Sequence, residues 1–160
     1  MLHVSVICVG KLKEKFFADA IEEYKKRLGA YCLFEIVELQ ETRLSPSPSE
    51  KEIASALNKE SLDIQKHIPP RSYVIAMCVE GQQKSSEELS SLINRCSMDG
   101  FSTLCFLIGG SFGLAPEIKQ IASLRLSMSK MTFPHHLARV MITEQIYRAF
   151  TISGGTKYHK

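Results

Sequence analysis

Short apolar runs rich in β-branched residues alternate along this chain with longer stretches whose apolar residues recur at helical spacing. The apolar runs predict β-strands at residues 3–9, 34–39, 73–79, 103–108 and 124–128. The periodic stretches predict helices at residues 14–28, between Ser49 and Pro69, and at 85–100, 116–121 and 137–150. Because strands that are apolar on both faces need helices on both sides, the alternation predicts an α/β fold with a mostly parallel sheet and helices on both faces.

The length of the chain suits a single domain. Its 160 residues, 44% apolar and 23% charged, are enough for one hydrophobic core and a tight fit for two. No apolar run approaches the length of a membrane-spanning helix. The apolar N-terminus is also too short for a signal peptide and lacks its basic start. We therefore expect one domain over residues 1–160, in the cytoplasm and without a membrane partner.

The five cysteines are an odd number and include no Cys-x-x-Cys pair. Three of them, Cys8, Cys78 and Cys105, fall within predicted strands. This pattern is typical of buried, reduced thiols and supports neither a disulfide framework nor a zinc site.

Charge is distributed unevenly between the two parts of the chain. Residues 1–100 hold 13 Lys and Arg against 15 Asp and Glu, a net charge of −2. Residues 101–160 hold seven Lys and Arg against Glu117 and Glu144, a net charge of +5. A one-sided basic field suits a polyanionic partner, although chance unevenness would look the same. Aromatic residues among these cations favour a polyanionic partner over chance unevenness.

The candidate site lies where three predicted strands end. Residues 80–81, 109–113 and 129–134 each follow the carboxyl end of a strand. In open parallel sheets, ligands bind outside these carboxyl ends, so we expect the three segments to converge on one pocket.

The chemistry of this pocket points to a reactive cofactor. The chain lacks the G-x-G-x-x-G dinucleotide motif, the phosphate-binding loop, the nucleophile elbow and an acidic pair at the site. Few acid–base groups beside a glycine-lined pocket suit a reaction whose cofactor supplies the reactivity, such as a sulfonium methyl donor. Alternatively, Gly109, Gly110 and Gly113 form a turn that backbone geometry alone requires.

A metal site is not expected. The adjacent histidines His135 and His136 immediately precede the last predicted helix, and neighbouring side chains at a helix start point in different directions. Neither a carboxylate nor a cysteine sits at ligand spacing beside them. Hydrogen bonding at the start of the helix is the favoured role.

The last predicted helix and the C-terminal tail each allow two interpretations. The broad apolar stripe of residues 137–150 suits either the core alone or the core together with a partner subunit. The tail, Tyr158–Lys160, is either a frayed terminus or a segment that stacks on a base and contacts phosphate.

The chain resembles a known family over its whole length, most specifically in its C-terminal third. It is similar to the 23S rRNA (pseudouridine-N3)-methyltransferases of the SPOUT superfamily. The matching segments are Val9–Lys13, Gly81 with Ser85–Glu87, Phe106–Gly110, Gly113–Leu114, Leu126–Ser127, Met131–His135, Arg139, Glu144–Gln145, Tyr147–Ala149 and Tyr158–Lys160. The resemblance implies a C-terminal trefoil knot, a homodimer and the cofactor S-adenosylmethionine. The implied substrate is the pseudouridine at position 1915, in helix 69 of 23S rRNA within the ribosome, methylated at N3.

The resemblance also implies roles for individual residues. The implied cofactor-binding residues are Met77, Gly109, Met128, Ser129, Lys130, Met131, Thr132 and Phe133. The implied catalytic residues, which bind and orient the base, are His135, Arg139, Tyr158 and His159. The implied RNA phosphate contacts are Arg148, Lys157 and Lys160. Because uracil N3 loses a proton as it gains the methyl group, one group must accept it, and the sequence leaves that group open. In the alternative reading, Arg139 and Arg148 form ion pairs with Glu144 on their own helix.

The chain departs from the family pattern at a few positions. Cys78 stands where an acidic residue is usual, Gln82 where a lysine is usual, and Lys157 where proline is common. Phe112 replaces a small or polar residue in the glycine turn. Two rival functions stay open: a non-catalytic RNA- or ribosome-binding protein, and a SPOUT methyltransferase acting on another RNA such as tRNA.

Overall fold

The computed structural model describes residues 1–159, in which strands and helices alternate as the sequence predicts. The strands are β1 (His3–Val9), β2 (Leu33–Leu39), β3 (Ser72–Gln83), β4 (Thr103–Ile108) and β5 (Leu124–Ser127). The helices are α1 (Lys15–Leu28), α2 (Glu50–His67), α3 (Ser86–Met98), α4 (Pro116–Ile121) and α5 (His135–Ser153). The five strands form one sheet in the order β2-β1-β4-β3-β5, and every pairing in it is parallel.

Helices cover both faces of the sheet, which confirms the predicted α/β fold. On one face, strand residues such as Phe106 pack with Leu28 of α1, Ile93 of α3 and Ile146 of α5. On the other face, the packed residues include Ile64 of α2 and Ile118 of α4. The central strand β4 is buried along its whole length, because it has a strand on each side and helices above and below.

Strand β3 is longer than its sequence predicts. The apolar run ends at Val79, but the strand continues to Gln83 by pairing with β5 after a register shift between Met77 and Gln82. Gly81 makes this possible, since a Cβ there would lie only 2.7 Å from the backbone carbonyl carbon of Arg125. The polar residues after Val79 look like a loop in the sequence, and a partner strand distant in the chain makes them a strand.

Helix α5 begins at His135, two residues before the predicted start, because Pro134 supplies the extended backbone that precedes it. Its buried apolar residues Ile142, Ile146 and Ala149 belong to the core, as both interpretations of its apolar stripe require. Hydroxyl groups on α3 fasten it further: Ser90 donates to the carbonyl of Ala149 at 2.7 Å. The helix thereby leads the chain from the site at the sheet edge to the tail.

Among residues 1–159, no helix combines the length and apolar character needed to cross a membrane. The trefoil knot stays a prediction from the resemblance.

Candidate functional site

A cleft of about 660 Å³ opens at the carboxyl edge of the sheet. Its walls are the bulged part of β3, the glycine turn after β4, and the loop from β5 to α5. Of the eight predicted cofactor-binding residues, those that line it are Met77, Gly109, Met128, Ser129, Met131, Thr132 and Phe133. The eighth, Lys130, is exposed and is not among the lining residues. The three segments that the sequence predicts to converge therefore do so.

The glycine turn at 109–113 is closed by its own backbone. Gly113 donates its N–H to the carbonyl of Gly110 at 3.1 Å and adopts a φ of +77°. A Cβ at Gly109 would lie 2.3 Å from the carbonyl carbon of Gly113. Backbone geometry therefore requires glycine at both positions, as the alternative interpretation holds, and the same turn also forms a wall of the cleft.

Glu41, which follows β2, anchors the glycine turn from outside. Its carboxylate accepts the N–H of Ser111 at 2.8 Å, and a Cβ at Gly110 would collide with it. No sequence pattern singled out Glu41. Its position just past the carboxyl end of a strand is the signal that could have identified it, because such positions face the site.

The loop from Met128 to Pro134 is ordered by hydroxyl groups. The Ser129 hydroxyl accepts the N–H of Met131 at 3.0 Å, and the Ser127 hydroxyl donates to the carbonyl of Ser129 at 2.9 Å. These bonds fix a short turn and leave the Met131 side chain 71% exposed at the cleft. Across the cleft, Phe112 is 48% exposed. Two large apolar side chains thus flank the opening without being used for the core.

His135 is the one predicted catalytic residue that lines the cleft. Burial lowers its pKa below the ordinary histidine value, and the neighbouring His136 adds to the effect. Its Nδ1 atom is buried and has no hydrogen-bond partner among residues 1–159. The site therefore holds an imidazole that is neutral at neutral pH, in which one ring nitrogen carries no proton.

The two histidines differ from the expectation that they point apart. Their ring centroids lie 4.1 Å from each other, because the first turn of α5 is packed against the start of α1. His136 Nδ1 lies 3.3 Å from the carboxylate of Glu14. Within the part of the chain that the structure describes, no cluster of three or more His, Cys, Asp or Glu side chains suits a metal ion.

Arg139 is placed as a structural residue. It is 1% exposed, pairs with the Glu38 carboxylate at 2.6 Å and donates to the carbonyl of Gly10 at 3.0 Å. The alternative pairing with Glu144 is therefore wrong for Arg139, whose side chain faces the sheet edge instead. In this position it ties α5 to the ends of β1 and β2, and its predicted contact with a base stays a prediction.

The tail folds back onto its own chain, away from the cleft. Tyr158 donates its hydroxyl to Glu144 at 3.1 Å, and burial raises its pKa above the ordinary tyrosine value. Arg148 pairs with Glu144 at 2.6 Å and lies over the Tyr158 ring, which confirms that alternative pairing. His159 lies 2.8 Å from a carboxylate oxygen of Glu87 on α3. Neither Tyr158 nor His159 lines the cleft, so the structure does not bring them together with His135 in one chain.

Two of the predicted phosphate contacts, Lys157 and Lys160, lie at the end of the chain. Lys157 is exposed and forms no ion pair with another described residue. Lys160 lies outside the described residues. Their contacts with RNA stay predictions.

Known proteins resemble this chain at the level of sequence and of fold. Ribosomal RNA large subunit methyltransferase H of Clostridium botulinum (strain Alaska E43 / Type E3) is 48% identical over 159 residues, covering 99% of this chain and 100% of the relative. The protein of the same name from Clostridium novyi (strain NT) is 46% identical with the same coverage.

Two solved structures share the fold. A probable methyltransferase from Bordetella pertussis Tohama I has a TM-score of 0.60 at 14% identity, over 93% of this chain and 96% of that one. A probable methylase family protein from Haemophilus influenzae Rd KW20 has a TM-score of 0.51 at 13% identity, over 99% and 70%.

A family model described as "Predicted SPOUT methyltransferase" matches residues 2–159, which is nearly the whole chain. Together with the full-length relatives, this match shows that the chain belongs to the SPOUT methyltransferase family.

Proposed function

We propose that this protein transfers a methyl group from S-adenosylmethionine to N3 of the pseudouridine in the loop of helix 69 of 23S rRNA. The observation that carries the proposal is a cleft that joins the glycine turn, the loop at 128–134 and the neutral His135 at one sheet edge. An rRNA substrate is supported by relatives named as rRNA methyltransferases that match the chain from end to end.

The cleft is suited to S-adenosylmethionine in size and in chemistry. Its volume of about 660 Å³ lies in the range of small-molecule sites. Met77, Leu126 and Met128 offer apolar surface, while Ser129 and Thr132 offer polar groups at the same wall. The backbone of the glycine turn can approach a flat ligand closely because no side chain intervenes. The cofactor would supply an electrophilic methyl group on a sulfonium, so the chain itself has to bind, orient and manage one proton.

We propose His135 as the group that accepts the N3 proton. It lines the cleft, and its lowered pKa leaves the imidazole neutral at neutral pH, so one ring nitrogen carries no proton. The other three predicted catalytic residues suit this role less well. Arg139 is paired with Glu38, the hydroxyl of Tyr158 holds its proton more tightly than usual, and His159 is bonded to Glu87. A neutral imidazole can take a proton at neutral pH without a further activating group.

A homodimer, a cytoplasmic location and a single domain over residues 1–160 belong to the same proposal. A groove of about 530 Å³ runs between α1, α3 and α5, with Tyr24, Leu89, Val140 and Met141 among its lining residues. Phe16 of α1 is 67% exposed. These apolar surfaces support pairing with a second copy of the chain.

The test is methyl transfer from radiolabelled S-adenosylmethionine to ribosomes that lack this modification, with free 23S rRNA and tRNA in parallel. The labelled nucleotide is then mapped. We expect label at N3 of the helix 69 pseudouridine. Label on tRNA would keep the enzyme class and overturn the substrate. Absence of transfer by a folded protein that binds the cofactor would favour the RNA-binding alternative.

A further inference from the structure

A second groove, of about 780 Å³, lies on the other side of the glycine turn from the cofactor cleft. Its walls come from the segments after β1 and β2 and from the first half of α2. Ser111, Phe112 and His135 line both spaces, so the groove and the cleft meet at these three residues. An extended molecule lying in the groove would therefore reach His135, where the groove meets the cleft.

Three cations line this groove with no partner to neutralise them. Lys11, Lys13 and Arg43 are exposed, and none forms an ion pair within residues 1–159. Lys11 and Lys13 lie in the short loop between β1 and α1, while Arg43 follows β2. Because β1 and β2 are adjacent and parallel, their carboxyl ends place these charges on the same edge of the sheet.

The two carboxylates of the groove are engaged with the chain itself. Glu41 accepts the N–H of Ser111 at 2.8 Å, and Glu60 accepts the N–H of Thr42 at 3.0 Å. Glu60 is buried, which raises its pKa. The cations are therefore exposed at the surface, whereas the acidic groups hold the walls together. Such an arrangement is suited to a polyanion that lies along the groove.

Phe112 stands where the groove meets the cleft. Its ring is 48% exposed, although it is apolar and follows three residues that are packed or hydrogen-bonded in the turn. An exposed aromatic ring beside unpaired cations is the combination that binds single-stranded nucleic acid, since the ring stacks on a base while the cations contact phosphates. Enzymes that modify a base also have to hold it outside its stack.

We infer that this groove is the path by which an unpaired RNA strand reaches the active site. Phe112 stacks on a base at the junction, and Lys11, Lys13 and Arg43 contact the phosphates of the strand. The inference rests on the proposed function for its substrate class. The inference adds an RNA-binding surface to the proposed function. This surface lies in the N-terminal, net-acidic part of the chain, where the net charge of the sequence does not suggest one.

The first experiment measures binding of ribosomes to the triple variant K11Q/K13Q/R43Q, by filter binding at several salt concentrations. The matched control is K26Q/K66Q/R95Q, which removes the same charge from the last turns of α1, α2 and α3, at the opposite edge of the sheet. Each single-stranded phosphate contact contributes about 0.7 to the salt slope, so the groove variant should lose roughly 2 from it. We expect its affinity to fall at least about tenfold at low salt and the control to bind like wild type.

The second experiment compares Phe112→Ala with Phe112→Tyr, which keeps the ring. Loss of the stacking contact with one base should weaken RNA binding about 5- to 100-fold in Phe112→Ala, whereas Phe112→Tyr should bind RNA like wild type. Because Phe112 also lines the cofactor cleft, calorimetric titration with S-adenosylhomocysteine is needed. Equal weakening of cofactor and RNA binding would overturn the stacking role.

The inference and the proposed function can fail separately. Wild-type protein that binds ribosomes but methylates no RNA would refute the proposed function, and the binding series would still test the groove. Wild-type protein that methylates helix 69, with affinity and salt slope unchanged in K11Q/K13Q/R43Q, would refute the groove as the RNA path. Methylation kinetics serve as a further check, since the groove variant should raise KM for ribosomes and leave kcat unchanged.

Discussion

A side chain at Gly109 would collide with the backbone of the glycine turn and would not extend into the space for the ligand. A Cβ there would lie 2.3 Å from the backbone of Gly113, so an added methyl group has to move the turn. We expect Gly109→Ala to lower the free energy of unfolding by about 1–3 kcal/mol and to weaken cofactor binding through the displaced turn. Urea unfolding and calorimetric titration measure the two effects.

Gly113→Ala is the comparison for this prediction. A Cβ there meets no atom within 4 Å, and only its φ of +77° is unfavourable. Its loss of stability should stay at about 1–2 kcal/mol. A Gly109→Ala protein that is as stable as wild type and binds the cofactor normally would contradict the geometry of the turn.

His135 should give the enzyme an acidic limb in its pH profile. Burial lowers the pKa of His135, with His136 and Arg139 acting in the same direction and Glu41 and Glu14 opposing them. The neutral form accepts the proton, so kcat/KM should fall as pH drops through this lowered pKa, below the ordinary value of about 6.5. The sign is the same for stability: the unfolded chain binds this proton more readily, so the folded state loses stability as pH falls below about 6.5.

His135→Gln tests the assignment. It should lower kcat by about 10²- to 10⁴-fold and remove the acidic limb, while binding of S-adenosylhomocysteine is kept. The measurement is a pH profile of methyl transfer, with thermal unfolding at each pH as control. An unchanged acidic limb in His135→Gln would assign the proton to another group.

At the scale of the element, the start of α5 is held by an ion pair that its own periodicity does not reveal. The sequence offers Glu144 as a partner of Arg139 only because the two share a helix, and their separation of five residues does not bring the side chains together. The structure pairs Arg139 with Glu38, distant in sequence, because folding brings the end of β2 beside α5. Arg148 and Glu144, four residues apart, do pair as helix geometry predicts.

Arg139→Met should therefore act on stability first. Breaking a buried ion pair costs about 3–5 kcal/mol, and the lower end is expected here because Glu38 is partly exposed. Denaturant unfolding of Arg139→Met, Glu38→Gln and the double variant gives the coupling energy of the pair. A stable Arg139→Met protein with a large loss of kcat would instead support direct contact with the base.

At the scale of the whole molecule, the sequence predicts those features of the fold that depend on the succession of strands and helices along the chain and on local residue patterns. The parallel sheet and the convergence of three strand ends follow from where each strand stops, whereas the seven predicted residues that line the cleft are ones that the resemblance to the family implies. Contacts between distant segments are not encoded in this way. The pairing of Gln82 with Leu126, the anchoring of the turn by Glu41 and the folding of the tail onto α3 each depend on surfaces that exist only in the folded chain.

The tail gives the last prediction. Tyr158 and His159 contact α3 and α5 and do not line the cleft, so deletion of residues 158–160 should leave affinity for S-adenosylhomocysteine unchanged. If the tail binds the substrate base, the same deletion should abolish methyl transfer. Glu87→Gln is the control, because it weakens the anchor of His159 and keeps the tail. Loss of cofactor binding together with a lower melting temperature would instead mean that the tail mainly supports the packing of α5, since Glu144 and Arg148 would both lose their contacts with Tyr158.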